Sequence, residues 1–161
     1  MIINIEERVA KARRLFKEGG YNCCQAVVLA YNDLFGLDDN LAASLASGFG
    51  GGMGRMREVC GSVSGMVMLA GLLSPAADPS VKERRTANYA LVQELAGRFR
   101  EMNGSIVCCE LLGLVPRNGG GSASVESPEP SDRTPEYYRK RPCEELVAIS
   151  ARIFGEKMQS Y

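Results

Sequence analysis

The 161-residue chain contains no histidine and no tryptophan, only 7% aromatic residues, and as many acidic residues (19) as lysines and arginines (19). Each absence excludes something. Without histidine there is no Cys-His or Ser-His catalytic pair and no imidazole metal ligand. Without net charge no overall field draws the chain to nucleic acid or to an anionic membrane, so neither partner is expected. No segment alternates apolar and polar residues between turn signals, which leaves no ground for a sheet. The opening stretch MIINIEERVAKARRLFKEGG mixes both signs of charge and lacks the uninterrupted apolar core of a secretory signal, which points to a cytoplasmic protein.

Long apolar runs are also scarce. Val59 to Ala77 carries no charge and is about the minimum length of a membrane span, but Cys60, Gly61, Ser62, Ser64, Gly65, Gly71, Ser74 and Pro75 dilute it. The strongly apolar part covers only about three helical turns. It reads as a buried central helix, not as a membrane insertion.

What remains is helical patterning. Asn4 with Glu7 is a capping-box variant ahead of Ile5, Val9, Ala12, Leu15 and Phe16, and Gly19-Gly20 ends that helix. Asn22 caps a second, nearly all-apolar helix, and Asp38 or Asp39 opens a short third. Asp78-Pro79 signals the start of a long amphipathic helix, SIVCCELLG a brief turn, and Pro142 the start of the last helix. Residues 116–140, rich in Gly, Ser, Pro and charge, read as a mobile loop. The expected fold is all-α, a compact bundle of about six helices around a buried central helix, forming one domain over residues 1–161.

Six cysteines stand on this map: Cys23, Cys24, Cys60, Cys108, Cys109 and Cys143. In a reducing compartment they are catalytic, metal-bound or simply buried, and structural disulfides are not expected. Cys23 follows the cap Asn22, Cys60 opens the central helix, Cys108 follows Ser105 by three residues, and Cys143 follows Pro142. All four fall in an expected first helical turn. There, unpaired N–H groups and the positive end of the macrodipole favour a thiolate without any histidine. The plain alternative is that unpaired cysteines pack as small hydrophobes.

The motifs NCCQAV at Asn22, GFGGGMG followed by CGSVSG at Cys60, CCELLG at Cys108 and CEELV at Cys143 resemble the redox-active proteins named C_GCAxxG_C_C. That family is marked by four separated cysteines and a CGAxxG motif, and the resemblance runs from about Arg14 to Phe154. By position it implies Cys23, Cys60, Cys108 and Cys143 as the family cysteines and Gly61 and Gly65 as the motif glycines. Ser62 departs from the motif's alanine, and Cys24 and Cys109 double two sites, leaving open which sulfur of each pair faces the others.

Gly61 and Gly65 form a GxxxG step, which suits close approach of another backbone. GFGGGMGR fits neither nucleotide-binding glycine template, and no strand precedes it. It reads as a tight turn passing close to Cys60, with Arg55 and Arg57 favouring that thiolate. The expected chemistry is thiol–disulfide or related redox exchange with an unidentified redox partner or small-molecule oxidant, the four family cysteines being the reacting groups. The alternative is that Cys23, Cys60, Cys108 and Cys143 ligate a metal or an iron–sulfur cluster, although their wide separation is unlike the paired spacing of structural zinc sites. A third reading is an interaction domain with incidental cysteines. The sequence names no cofactor.

Overall fold

In a computed structural model of the protein, residues 2–161 are described. Among the described residues the fold is all-α, with eight helices besides short helical turns and no strand; Val59 and Val107 form one isolated antiparallel bridge. Helix α1 spans Ile5–Lys17, α2 Cys23–Leu29, α3 Asp39–Ala46, α4 Gly61–Leu73 and α5 Lys82–Asn103. The short α6 (Cys108–Leu111) and α7 (Pro135–Lys140) precede the closing α8 (Cys143–Ser160).

The helix starts follow from local chemistry. Asn4 Oδ1 accepts the Glu7 N–H at 3.1 Å, and acidic Glu6 and Glu7 in the first turn with Arg14 and Lys17 in the last complement the α1 dipole. Asn22 and Gln25 form a reciprocal capping box, each side chain accepting the other's backbone N–H at 3.0 Å. Asp38 caps α3 by accepting the Leu41 N–H.

Two starts differ from expectation. Asp78 caps no helix: its Oδ1 accepts from the Ser80 N–H and hydroxyl, closing a turn, and α5 begins only after Val81. Within the stretch that reads as loop, Thr134 accepts the Tyr137 N–H and Pro135 takes the first position of α7, where its missing N–H costs nothing.

Helix α4 packs against α2, α5 and α8, while α1 lies mainly along α8. Met66 and Leu69 are fully buried, but Val67 and Leu72 keep 37% and 38% of their surface, so the central helix is enclosed on one side and partly open on the other. The GxxxG step serves the α2–α4 contact. A Cβ at Gly65 would stand 2.9 Å from Val27 Cβ and 3.1 Å from the Cys24 carbonyl oxygen, closer than such atoms can sit without displacement. No helix among the described residues is long and apolar enough to cross a membrane.

A second tight contact lies toward the other end of the bundle. The buried Tyr31 donates its hydroxyl to the Ala151 carbonyl at 2.6 Å and meets the Phe154 ring edge-on at 5.0 Å. It fits only because residue 155 is glycine: a Cβ there would lie 2.3 Å from the Tyr31 oxygen.

Candidate functional site

Four helix starts point at one place. Cys23, Cys108 and Cys143 are the first residues of α2, α6 and α8, and Cys60 is the N-cap residue of α4. All four line a single cavity of about 60 Å³, together with Arg57, Arg133, Tyr137 and Arg141. Cys23 and Cys143 are half-buried, Cys60 and Cys108 buried, and all four are free thiols. Cys24 and Cys109 are buried and do not line the cavity; the Cys24 sulfur lies 3.8 Å from that of Met68, further along α4. The doublets are thereby told apart, since neighbours on a helix diverge by about 100°.

Glycines make this convergence sterically possible. A Cβ on Gly61 would meet the Cys23 sulfur at 2.6 Å and the Phe49 carbonyl oxygen at 2.8 Å. A Cβ on Gly52 would meet Cys108 Cβ at 2.6 Å and the Glu58 nitrogen at 2.7 Å. Gly52 also has φ +69°, next to Gly51 at +66°, a left-handed pair that side chains resist. The glycine-rich loop is therefore a tight turn between α3 and α4. Beyond it, the Cys60 N–H donates to the Ile106 carbonyl and the Cys108 N–H to that of Glu58, tying the α4 and α6 starts together.

The arginines of that loop do not serve Cys60 as the sequence suggests. Arg57, with 4% of its surface exposed, reaches the Cys108 sulfur at 3.8 Å through Nη1 and pairs with Glu126 through Nε. Arg55 turns outward to the Ser127 carbonyl and the Ser131 hydroxyl. Cys60 instead has Ser62, whose hydroxyl is 3.1 Å from its sulfur and accepts from Ser150 at 3.0 Å. Ser105 does not cap α6 either. Its Oγ accepts the Val107 N–H and donates to Glu110 at 2.6 Å, bracing the turn that delivers Cys108.

Burial decides the protonation of these thiols. It pushes Cys60 up, the nearby Cys23 adds to the rise, and the Ser62 hydrogen bond opposes it. It pushes Cys108 up against the hydrogen bond and charge of Arg57. Cys143 rises from an ordinary 9.0 to about 12, first by burial and then by the proximity of Cys23 and Cys108, with Arg141 and Arg57 opposing. The thiolate preference expected at helix starts is outweighed here by desolvation. Cys23 is the thiol whose charge bears on each of the other three, so ionisation of one opposes that of the next.

Residues outside the cysteine motifs complete the walls. Arg133 donates to the Phe16 and Tyr21 carbonyls and lies over the Phe16 ring at 4.4 Å; Arg141 lies over the Tyr137 ring at 4.8 Å. The signal for them was present in RTPEYYRKRPC, a Thr-Pro helix start and a basic-aromatic cluster running directly into Cys143. Among the described residues, no group of three or more His, Cys, Asp or Glu side chains is arranged to hold a metal ion.

The family model described as "Putative redox-active protein (C_GCAxxG_C_C)" matches residues 21–157, a span that contains every cysteine of the chain. The chain belongs to this family. Comparison with curated proteins and with solved structures finds no match. In this C_GCAxxG_C_C protein Cys23, Cys60, Cys108, Cys143 and the first motif glycine, Gly61, meet at one cavity, with Ser62 at the alanine position of the motif adding a hydroxyl beside Cys60.

Proposed function

We propose that this protein performs two-electron thiol–disulfide chemistry with Cys23, Cys60, Cys108 and Cys143 as the reacting groups, in a reducing compartment such as the cytosol. The reading is supported above all by four cysteines from four separate helix starts lining one small cavity. An oxidant arriving from outside meets the half-buried thiols of Cys23 and Cys143 first. One of them loses its proton and attacks, forming a mixed bond as the leaving group departs with the electron pair. A second cysteine then attacks that sulfur, closes a disulfide and expels the second leaving group. Two protons and two electrons leave the protein in all.

Exchange is favoured over ligation for two reasons. Burial favours the protonated form of Cys60, Cys108 and Cys143, and exchange needs only one thiolate at a time, whereas a metal or cluster needs several at once. No donor group among the described residues is arranged around a metal position. The test is a free-thiol count on anaerobically purified protein before and after diamide, then after dithiothreitol, beside a metal and sulfide analysis. Two thiols should be lost and recovered per cycle in the wild type and in Cys24→Ala, and the loss should disappear when both outer thiols are removed together by Cys23→Ser and Cys143→Ser. Stoichiometric metal that vanishes in Cys60→Ser would instead establish the ligation reading.

A further inference from the structure

The chain is neutral overall, yet every charged side chain lining the cysteine cavity is an arginine. A wider cavity of about 330 Å³ opens beside it and shares Asn22, Gly51, Arg57, Arg133, Tyr137 and Arg141 with it. Arg55 joins that wall, and no Asp or Glu does. The two spaces form an inner thiol chamber and an outer arginine-lined vestibule.

The four cations are not equivalent. Arg55 and Arg57 have a counter-charge in Glu126, which sits outside both cavities. Arg133 spends two nitrogens on backbone carbonyls and keeps its charge. Arg141 is half-buried over Tyr137, and among the described residues neither it nor Arg133 has a carboxylate within salt-bridge distance. Glu126 feels the Arg141 charge only at longer range, and partly desolvated guanidinium groups with no carboxylate in direct contact are suited to an incoming anion, their planar fork matching a carboxylate. Position adds a second constraint: Arg141 stands two residues before Cys143, and both line the inner chamber. An anion held at Arg141 therefore carries whatever is attached to it toward the thiols.

The inner chamber admits only a group of a few atoms, while the vestibule can seat a substituent several times larger. We infer that the oxidant is a small organic disulfide bearing carboxylates, its carboxylate seated on Arg141 and Arg133 in the vestibule and its sulfur pair presented to the inner thiols. This rests on the thiol-exchange reading. An outer thiol, Cys23 or Cys143, attacks one substrate sulfur, forming a protein–substrate disulfide and releasing one carboxylate-bearing thiol. A second cysteine attacks the protein sulfur of that bond, closing an intramolecular disulfide and releasing the second. Two cysteine protons end on the two released thiols, and the protein is oxidised by two electrons.

Three disulfides of similar length separate the possibilities: 3,3′-dithiodipropionate (two carboxylates), bis(2-hydroxyethyl) disulfide (neutral) and cystamine (two ammonium groups). Each rate of protein thiol loss is normalised to that disulfide's rate with 2-mercaptoethanol. The dicarboxylate should exceed the diammonium compound at least tenfold at low salt, with the ratio falling as salt screens the arginines. Arg141→Glu should invert the order and Arg141→Lys should retain it in weaker form, circular dichroism confirming the fold of both. A wild-type ratio near one, or a ratio that Arg141→Glu leaves unmoved, overturns the inference while the exchange reading stands. Suberate, a dicarboxylate of the same length without sulfur, reads the seat alone by titration calorimetry. It should bind the wild type and lose at least tenfold in affinity in Arg141→Glu. Absence of binding overturns the seat, whatever the thiols do. Suberate binding with no reaction from any of the three disulfides overturns the exchange reading and the substrate assigned here together.

Discussion

The Tyr31 cluster and the cysteine cavity both bury polar side chains between helices, and they close in opposite ways. Around Tyr31 the hydroxyl has its acceptor at Ala151, the ring has Phe154, and Gly155 removes the last atom of slack. Around the cysteines, glycines at 52 and 61 again remove atoms, but the space gained admits sulfur and leaves a void open to a vestibule. The same device, absence of a Cβ at a crossing, yields a filled contact in one place and a reactive chamber in the other. Filled contacts carry stability, whereas an unfilled cavity gives up some packing for access.

That contrast orders the expected effects. Phe154→Ala empties the filled end and should cost about 3–5 kcal/mol in urea unfolding, because a fully buried aromatic leaves a cavity that its neighbours only partly fill. The surviving folded protein should still lose and regain thiols below its lowered melting point. A loss under about 1 kcal/mol would show that the Tyr31 cluster is not the better-packed region. Gly61→Ala should cost about 1–3 kcal/mol through its approach to the Cys23 sulfur and the Phe49 carbonyl, and should abolish reversible thiol loss. Gly71→Ala in the same helix faces open space and should gain up to about 1 kcal/mol from helix propensity. Equal effects at Gly61 and Gly71 would mean that α2 and α4 can part without cost.

Legibility in the sequence divides along a physical line. Features set by a few adjacent residues were readable: the Asn4, Asn22 and Asp38 caps, the all-helical class, and the first-turn placement of Cys23, Cys108 and Cys143 reappear in the structure, while Cys60 stands one residue earlier, at the N-cap of α4. Features set by partners far along the chain were not. Arg57 meets Cys108 and Glu126, 51 and 69 residues away, so its proximity in sequence to Cys60 pointed to the wrong thiol. The Ser62–Ser150 bond spans 88 residues and gave no local sign beyond the serine at a motif alanine. Helix α7 was hidden for another reason. The Pro, Ser and Gly that precede it dominate the composition, although its own Thr134-Pro135 start is a sound local signal. Thiol protonation is not legible in the same way, because helix-end chemistry is visible in a sequence and burial is not.

The same contrast can be sharpened through pH. Burial raises the folded-state pKa of Cys143 from 9.0 to about 12 and raises those of Cys24, Cys60 and Cys108 in the same direction. Below pH 9 both folded and unfolded chains hold these protons, and the thiols' contribution to stability is fully present. Between pH 9 and 12 the unfolded chain releases the Cys143 proton while the folded chain keeps it, so stability falls as pH rises. The slope approaches ~1.4 kcal/mol per pH unit for each such thiol. Tyr31 adds a fall that begins nearer pH 10, because burial raises its hydroxyl above an ordinary 10.0. Urea midpoints should therefore be flat from pH 7 to 8, fall from pH 9 in the wild type, and fall less steeply in Cys143→Ala by one thiol's share. Tyr31→Phe should keep the fall near pH 9 and soften only the part above pH 10. If Cys143→Ala and wild type lose stability in parallel, the Cys143 thiol is solvated in the folded state and the chamber is more open than its 60 Å³ implies.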